Sequence, residues 1–321
     1  MLTVFVSLHG QVRKAPMIDP AWLRPDSTAN VWVDLASPTE EEARILRDVF
    51  HFHELAIEDA LMEVHHPKVE TYGDFLYVIL HGIDFEASRH HFATHDTDFF
   101  LGRNFLVTVH DGTSRSIGHL HRVCERNARV LEEGPAALMH RIVDTMVDNY
   151  VPEVEKLADK LDQIEHQVFE EPNKNLIKEI LALKRDVAAM RRVVLPQRDV
   201  VSRLARREFD FIGEQVSYRF RDVYDHLVRL TDESMLFHDR LSSLLDAHLA
   251  SVSNRLNQVM KVLTVITTIF MPLTALTSLW GMNVKLPVYP GGAALQFWWI
   301  VGIMIVTAVA MLVAFRRRRW L

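Results

Sequence analysis

Apolar and polar positions along the 321-residue chain change their period twice. Up to about residue 110, short apolar runs alternate with turn residues. Val4–Val6, Val31–Asp34, Phe75–Leu80, Asp98–Leu101 and Asn104–Val109 are rich in Val, Ile, Phe and Tyr and predict strands. Between them, Ser37-Pro38-Thr39-Glu40 reads as a helix start, with Ser37 as N-cap, Pro38 in the first turn and Glu40 completing a capping box. His53–Leu61 reads as a second helix. From Ser114 to about Met260 glycine becomes sparse and apolar residues recur at spacings of three and four, as in Leu157, Leu161, Ile164 and Val168, which predicts long helices. Breaks are expected at Glu171-Pro172-Asn173 and near Pro196, and one long helix is expected to run from near Gln197 into the last third, bent at Gly213. Two charge-free runs, Val262–Trp280 and Phe297–Phe315, close the pattern. At about 1.5 Å per residue each spans roughly 28 Å, close to the ~30 Å of a bilayer core.

This pattern implies an α+β chain: a mixed α/β domain (1–112), a helical region ending in a long stalk helix (113–261), two membrane helices (262–280 and 297–315) joined by a loop (281–296), and a short tail (316–321). Charge sharpens the division. Residues 1–246 carry 29 basic and 42 acidic side chains, and no Asp or Glu follows Asp246, whereas seven Lys and Arg do. An acidic body argues against nucleic acid, whose phosphates need a positive face, and suits the attraction of cations. Cys124 is the only cysteine, so disulfide frameworks and thiolate metal sites are excluded. The opening residues lack a basic segment followed by a long apolar one, so the body is expected in the cytoplasm. Trp280, Trp298 and Trp299 mark one membrane interface, and Arg316–Arg319 the other, which puts both termini inside a plasma (inner) membrane.

Asn257, Met260, Thr264, Thr267, Met271, Thr274 and Ser278 follow one another at spacings of 3, 4, 3, 4, 3 and 4, a single stripe on the first span. Lipid cannot satisfy hydroxyls, so such a stripe is expected to face protein or water. It either packs helices together through small residues or lines a pore. Two spans per chain cannot enclose a pore, so a channel would need several copies.

The loop opens Trp280-Gly281-Met282-Asn283, and Gly-Met-Asn at the outer end of the first of two C-terminal spans resembles the signature of the CorA family of magnesium and cobalt channels. Lys261–Asn283 is similar to that family's first membrane helix along its whole length, and AFRRRRWL to its basic terminus. Phe220–His226, Ser251–Asn254 and His66-Pro67-Lys68-Val69-Glu70 resemble its stalk helix and cytoplasmic domain. The resemblance implies a homopentameric funnel that passes divalent cations down their electrochemical gradient. It implies pore rings at Asn257, Met260, Leu263, Met271, Thr274 and Asn283, with Gly281, Met282 and Asn283 as the selectivity filter. It implies also that intracellular divalent cations close the channel by binding between subunits, through Asp222 and a partner near Asp84 or Glu86.

Mg²⁺, with Co²⁺ and Ni²⁺ beside it, is the expected substrate and regulatory ligand, and no other cofactor is expected. Mg²⁺ releases its waters reluctantly, and a pore without carboxylates suits the hydrated ion. Zn²⁺, as in the related ZntB branch, is the alternative: histidines number 17 and cluster at His65-His66 and at His90, His91 and His95, yet none lies on the stripe. The loop carries Lys285 where the family often has an acidic residue. An enzyme is not expected, for the chain has no phosphate-binding glycine loop, HExxH or nucleophile elbow. A membrane-tethered sensor or scaffold is the reading from another class, though it leaves the stripe without a purpose.

Overall fold

The computed structural model describes residues 1–8, 10–24, 26–62, 66–89, 91–127, 129–170, 175–282, 292–318 and 320. The chain divides into two compact units, Met1–Leu245 and Asp246–Leu321.

Seven strands form one sheet: β1 (Leu2–Leu8), β2 (Gln11–Ala15), β3 (Asn30–Ala36), β4 (Lys68–Thr71), β5 (Leu76–Ile83), β6 (Thr94–Leu101) and β7 (Phe105–His110). Their order is β2-β1-β3-β7-β6-β5-β4, antiparallel throughout except for the parallel pair β3–β7. All five expected strands are present. The two that periodicity missed, β2 and β4, are the edges. Edge strands are short and carry charge, here Arg13, Lys14, Lys68 and Glu70, so they lack the apolar run that announces a strand. The unbroken run in β5 has the opposite cause: every one of its residues is buried, because helices cover both faces.

On one face, Val4, Val6, Val31, Val33, Leu35, Ile79, Phe100, Val107 and Val109 pack against α1 (Glu40–Asp48) and α2 (Glu54–Leu61) through Leu46, Ala56, Ile57 and Ala60. The other face meets α3 (Arg115–Arg126), α4 (Arg129–Glu132) and α5 (Pro135–Asp148). Helices α6 (Tyr150–Glu170) and α7 (Leu176–Ala205) follow; the break expected at Glu171-Pro172-Asn173 lies outside the described residues, and α7 is not broken at Pro196.

The reason is tertiary. Gln197 is buried, accepts a hydrogen bond from the His81 amide at 2.7 Å and donates to the Tyr150 hydroxyl at 3.0 Å, while that hydroxyl donates to the His81 carbonyl at 3.0 Å. These bonds hold the helix across the proline. The chain breaks instead at Arg206–Gly213, where Arg207 adopts a φ of 60°, and the long helix α8 starts afresh at Glu214 and ends at Trp280. It therefore does not begin near Gln197, and Gly213 precedes it rather than bending it. The expected stripe Leu157, Leu161, Ile164 and Val168 on α6 is buried. The first helix also starts two residues later than expected. Thr39 is the N-cap, accepting from the Glu42 amide while Glu42 accepts from the Thr39 amide, whereas Ser37 has a φ of 43° and donates to the Asp111 carbonyl.

The last helix, α9, covers Gly292–Arg317. Of the described helices, α8 and α9 are long and apolar enough to cross a membrane.

Candidate functional site

The stripe on α8 answers the lipid problem inside the helix itself. Thr264 donates its hydroxyl hydrogen to the Met260 carbonyl at 2.7 Å, Thr267 to Leu263 at 2.8 Å and Thr274 to Phe270 at 2.8 Å. Thr268 and Thr277 do the same off the stripe. Each of the three stripe threonine hydroxyls finds its acceptor one turn back, and its oxygen keeps lone pairs for the protein or water that the stripe is expected to face. What remains exposed on Thr264, Thr267 and Thr274 is oxygen lone pairs. An acceptor-only surface suits the outward-pointing hydrogens of a hydrated cation. Asn257, Met260, Leu263, Met271 and Ser278 are also exposed on the single chain, and Leu263 stands one turn from Met260 and Thr267.

At the helix end the Gly281 amide bonds to the Thr277 carbonyl at 2.9 Å, and a Cβ on Gly281 would stand 3.1 Å from that oxygen. A side chain there would sit tightly against the last turn. Met282 is exposed. Asn283 and Lys285 lie outside the described residues, as do His65 and His90.

In the body, Asp84 and Glu86 occupy the turn after β5. The Asp84 carboxylate accepts from the Glu86 and Ala87 amides, both at 3.0 Å, and the Asp84 amide bonds to the Ala93 carbonyl. The Phe85 ring between them lies under the Arg115 guanidinium, 3.9 Å from the ring centroid. Asp222 is exposed on α8, beside Asp144 and Asp148 of α5. Burial pushes the Asp144 carboxyl up; His140 opposes this, and the Asp148 and Asp222 carboxylates add to it. His226 reaches the Asp148 carboxylate at 3.8 Å. Sequence reasoning singles out Asp222 but not Asp144, which has no local motif and comes beside Asp222 only when α5 and α8 pack together.

Three other acidic residues of the helical region are held by cations. Glu153 pairs with Lys156, and Asp162 and Glu165 both hold Arg240. Among the described residues no three His, Cys, Asp or Glu side chains are placed to hold a metal ion by themselves. Asp34 sits deep in the sheet with Thr108, His110 and His121, whose hydrogen bonds outweigh the effect of burial and hold its carboxyl well below the usual range.

A seven-stranded sheet between helices, followed by two apolar C-terminal helices, the first ending in Gly-Met, defines a two-span membrane protein with a large polar body. The chain belongs to the CorA family: the model of the CorA-like Mg²⁺ transporter protein matches residues 27–317. A putative metal ion transporter of Bacillus subtilis, YfjQ, is 32% identical over 90% of this chain and 89% of its own length. The cobalt/magnesium transport protein CorA of Thermotoga maritima is 31% identical over 92% of this chain and 85% of its own. Among solved structures, the CorA magnesium transporter of Methanocaldococcus jannaschii superposes with a TM-score of 0.86 over 100% of this chain and 99% of that one, at 24% identity.

Proposed function

We propose that this protein carries Mg²⁺, with Co²⁺ and Ni²⁺ as accompanying substrates, down its electrochemical gradient as a homopentamer in the plasma membrane, with both termini in the cytoplasm. The observation that carries the reading is the charge-free α8 stripe, whose threonines donate inward and offer only oxygen acceptors. Around an axis, rings of Asn257, Thr264, Thr267, Thr274 and Ser278 would bind the hydration shell weakly, and rings of Met260, Leu263 and Met271 would exclude water when closed. Gly281, Met282 and Asn283 form the outer filter, with the Asn283 amide oxygens meeting the ion's waters.

The gate is Mg²⁺ itself. Asp222 of one subunit and Asp84 or Glu86 of its neighbour repel each other across the interface unless a divalent cation lies between them. Occupancy then favours the closed assembly. Asp144 feels the carboxylates of both Asp148 and Asp222, so acidic side chains of α5 and α8 meet within one subunit, with His140 and His226 beside them.

The test is Mg²⁺ flux into proteoliposomes containing a Mg²⁺-sensitive dye, wild type against Asn283→Ala. Gradient-driven flux that disappears in the variant is expected. Zn²⁺ flux without Mg²⁺ flux would move the protein to the zinc branch. No flux of either ion from verified oligomers would favour a tethered sensor.

A further inference from the structure

Arg115 is the first residue of α3, where the positive end of the helix dipole makes a cation unfavourable. Its guanidinium is nevertheless laid over the Phe85 ring at 3.9 Å, a distance at which attraction to the ring face is substantial. Phe85 separates Asp84 from Glu86. The neighbouring side chain, Ser116, is buried, and its hydroxyl accepts a hydrogen bond from the Asn149 amide group at 3.0 Å. Asn149 follows Asp148 and caps α5. One helical turn therefore touches a residue next to each acidic group: Phe85, between Asp84 and Glu86, through Arg115, and Asn149, which follows Asp148 at the end of α5, through Ser116. Thr113, just before this turn, lies 3.5 Å from His95, which pairs with Gly82 at the base of the same β5–β6 hairpin.

We infer that the N-terminal turn of α3 is a strut that sets the spacing of the two acidic groups, with Arg115 as a positioning residue for divalent-cation gating. This rests on the reading that Asp84 or Glu86 and Asp222 bind the regulatory cation. Arg115 touches no cation. It orders the turn that presents the carboxylates, so its loss weakens regulation and leaves conduction intact. A cation beside Asp84 and Glu86 would ordinarily compete with a divalent ion. Here the ring takes up the guanidinium.

The experiment measures, in proteoliposomes of the full chain, the internal Mg²⁺ concentration that halves the flux. The proteins are wild type, Arg115→Ala, Arg115→Lys, Phe85→Leu, Phe85→Tyr and the double variant Asp84→Asn/Glu86→Gln. Arg115→Ala and Phe85→Leu are expected to raise the half-inhibiting concentration by about three- to tenfold, the scale of one cation–π contact. Phe85→Tyr, which keeps the ring face, should stay near wild type, with Arg115→Lys between. Maximal flux at low internal Mg²⁺ and the melting temperature without Mg²⁺ should not move. If the double carboxylate variant shifts the midpoint and Arg115→Ala does not, the strut is wrong and the gating site stands. If the carboxylate variant leaves the midpoint unmoved, the gating site itself is wrong. A fall in melting temperature that accounts for the whole Arg115→Ala effect would reduce the residue to a structural one.

Discussion

At the scale of single residues, Asp98 shows how burial rewrites chemistry. It lies on β6, diagonal to Tyr77 on β5, and is almost wholly buried beneath α2. Loss of solvent pushes its carboxyl up to about 8; the Tyr77 hydroxyl, donating at 2.5 Å, opposes this, and Asp96 and Asp59 reinforce it. The folded body therefore keeps a proton that the unfolded chain releases near its ordinary value of 3.8. The stabilisation is complete below that value and is lost as pH rises toward 8. Asp98→Asn should remove this slope. Between pH 6 and 8 wild type should lose about 2 kcal/mol relative to the variant, read from paired thermal or urea unfolding of the detergent-solubilised chain. Equal slopes would mean that Asp98 is already ionised in the fold. Nothing in the alternation around Asp98 marks it as buried, because its run reads equally well as a polar start to an apolar strand.

At the scale of elements, the helices show where local signals suffice. The stripe of α6 and the apolar runs of α8 and α9 are legible because one face, or the whole circumference, must meet apolar surroundings. The proline in α7 was misleading because Gln197, Tyr150 and His81 fix the helix from outside. The cap of α1 slipped by two residues because Ser37 is drawn off to Asp111. On α8 the stripe mixes hydroxyls with Met260 and Met271, and these apolar positions act, with Leu263 next to the stripe residue Thr264, as the closed constriction on the proposed reading. Replacing Met260 or Met271 by Ser should wet it. Basal Mg²⁺ flux at saturating internal Mg²⁺ should then rise by about tenfold, with selectivity over Na⁺ retained by the outer filter. Unchanged basal flux in both variants would remove the hydrophobic gate.

At the scale of the whole molecule, cation binding between subunits, on the proposed reading, should be visible as protection. Asp148 and Asp222 both act on the Asp144 carboxyl within a single chain, and Asp222 belongs to the same helix as the stripe. Asp222→Asn should raise the Mg²⁺ concentration that protects the body from trypsin by about tenfold, because one charge is lost from each interfacial site. Flux in low Mg²⁺ should remain. Protection that is identical in wild type and variant would place the regulatory cation elsewhere.

The sequence by itself determined the two spans, the acidic body and basic tail, five of seven strands, and the stripe with its Gly-Met-Asn terminus. Each follows from local composition or period, which a chain displays before it folds. Tertiary structure alone decided the edge strands, the unbroken α7, the pairing of α5 with α8 that brings Asp144 beside Asp222, and the contact of Arg115 with Phe85. These depend on residues far apart in the chain, whose meeting is fixed by the packing of helices on the sheet rather than by any neighbour in sequence.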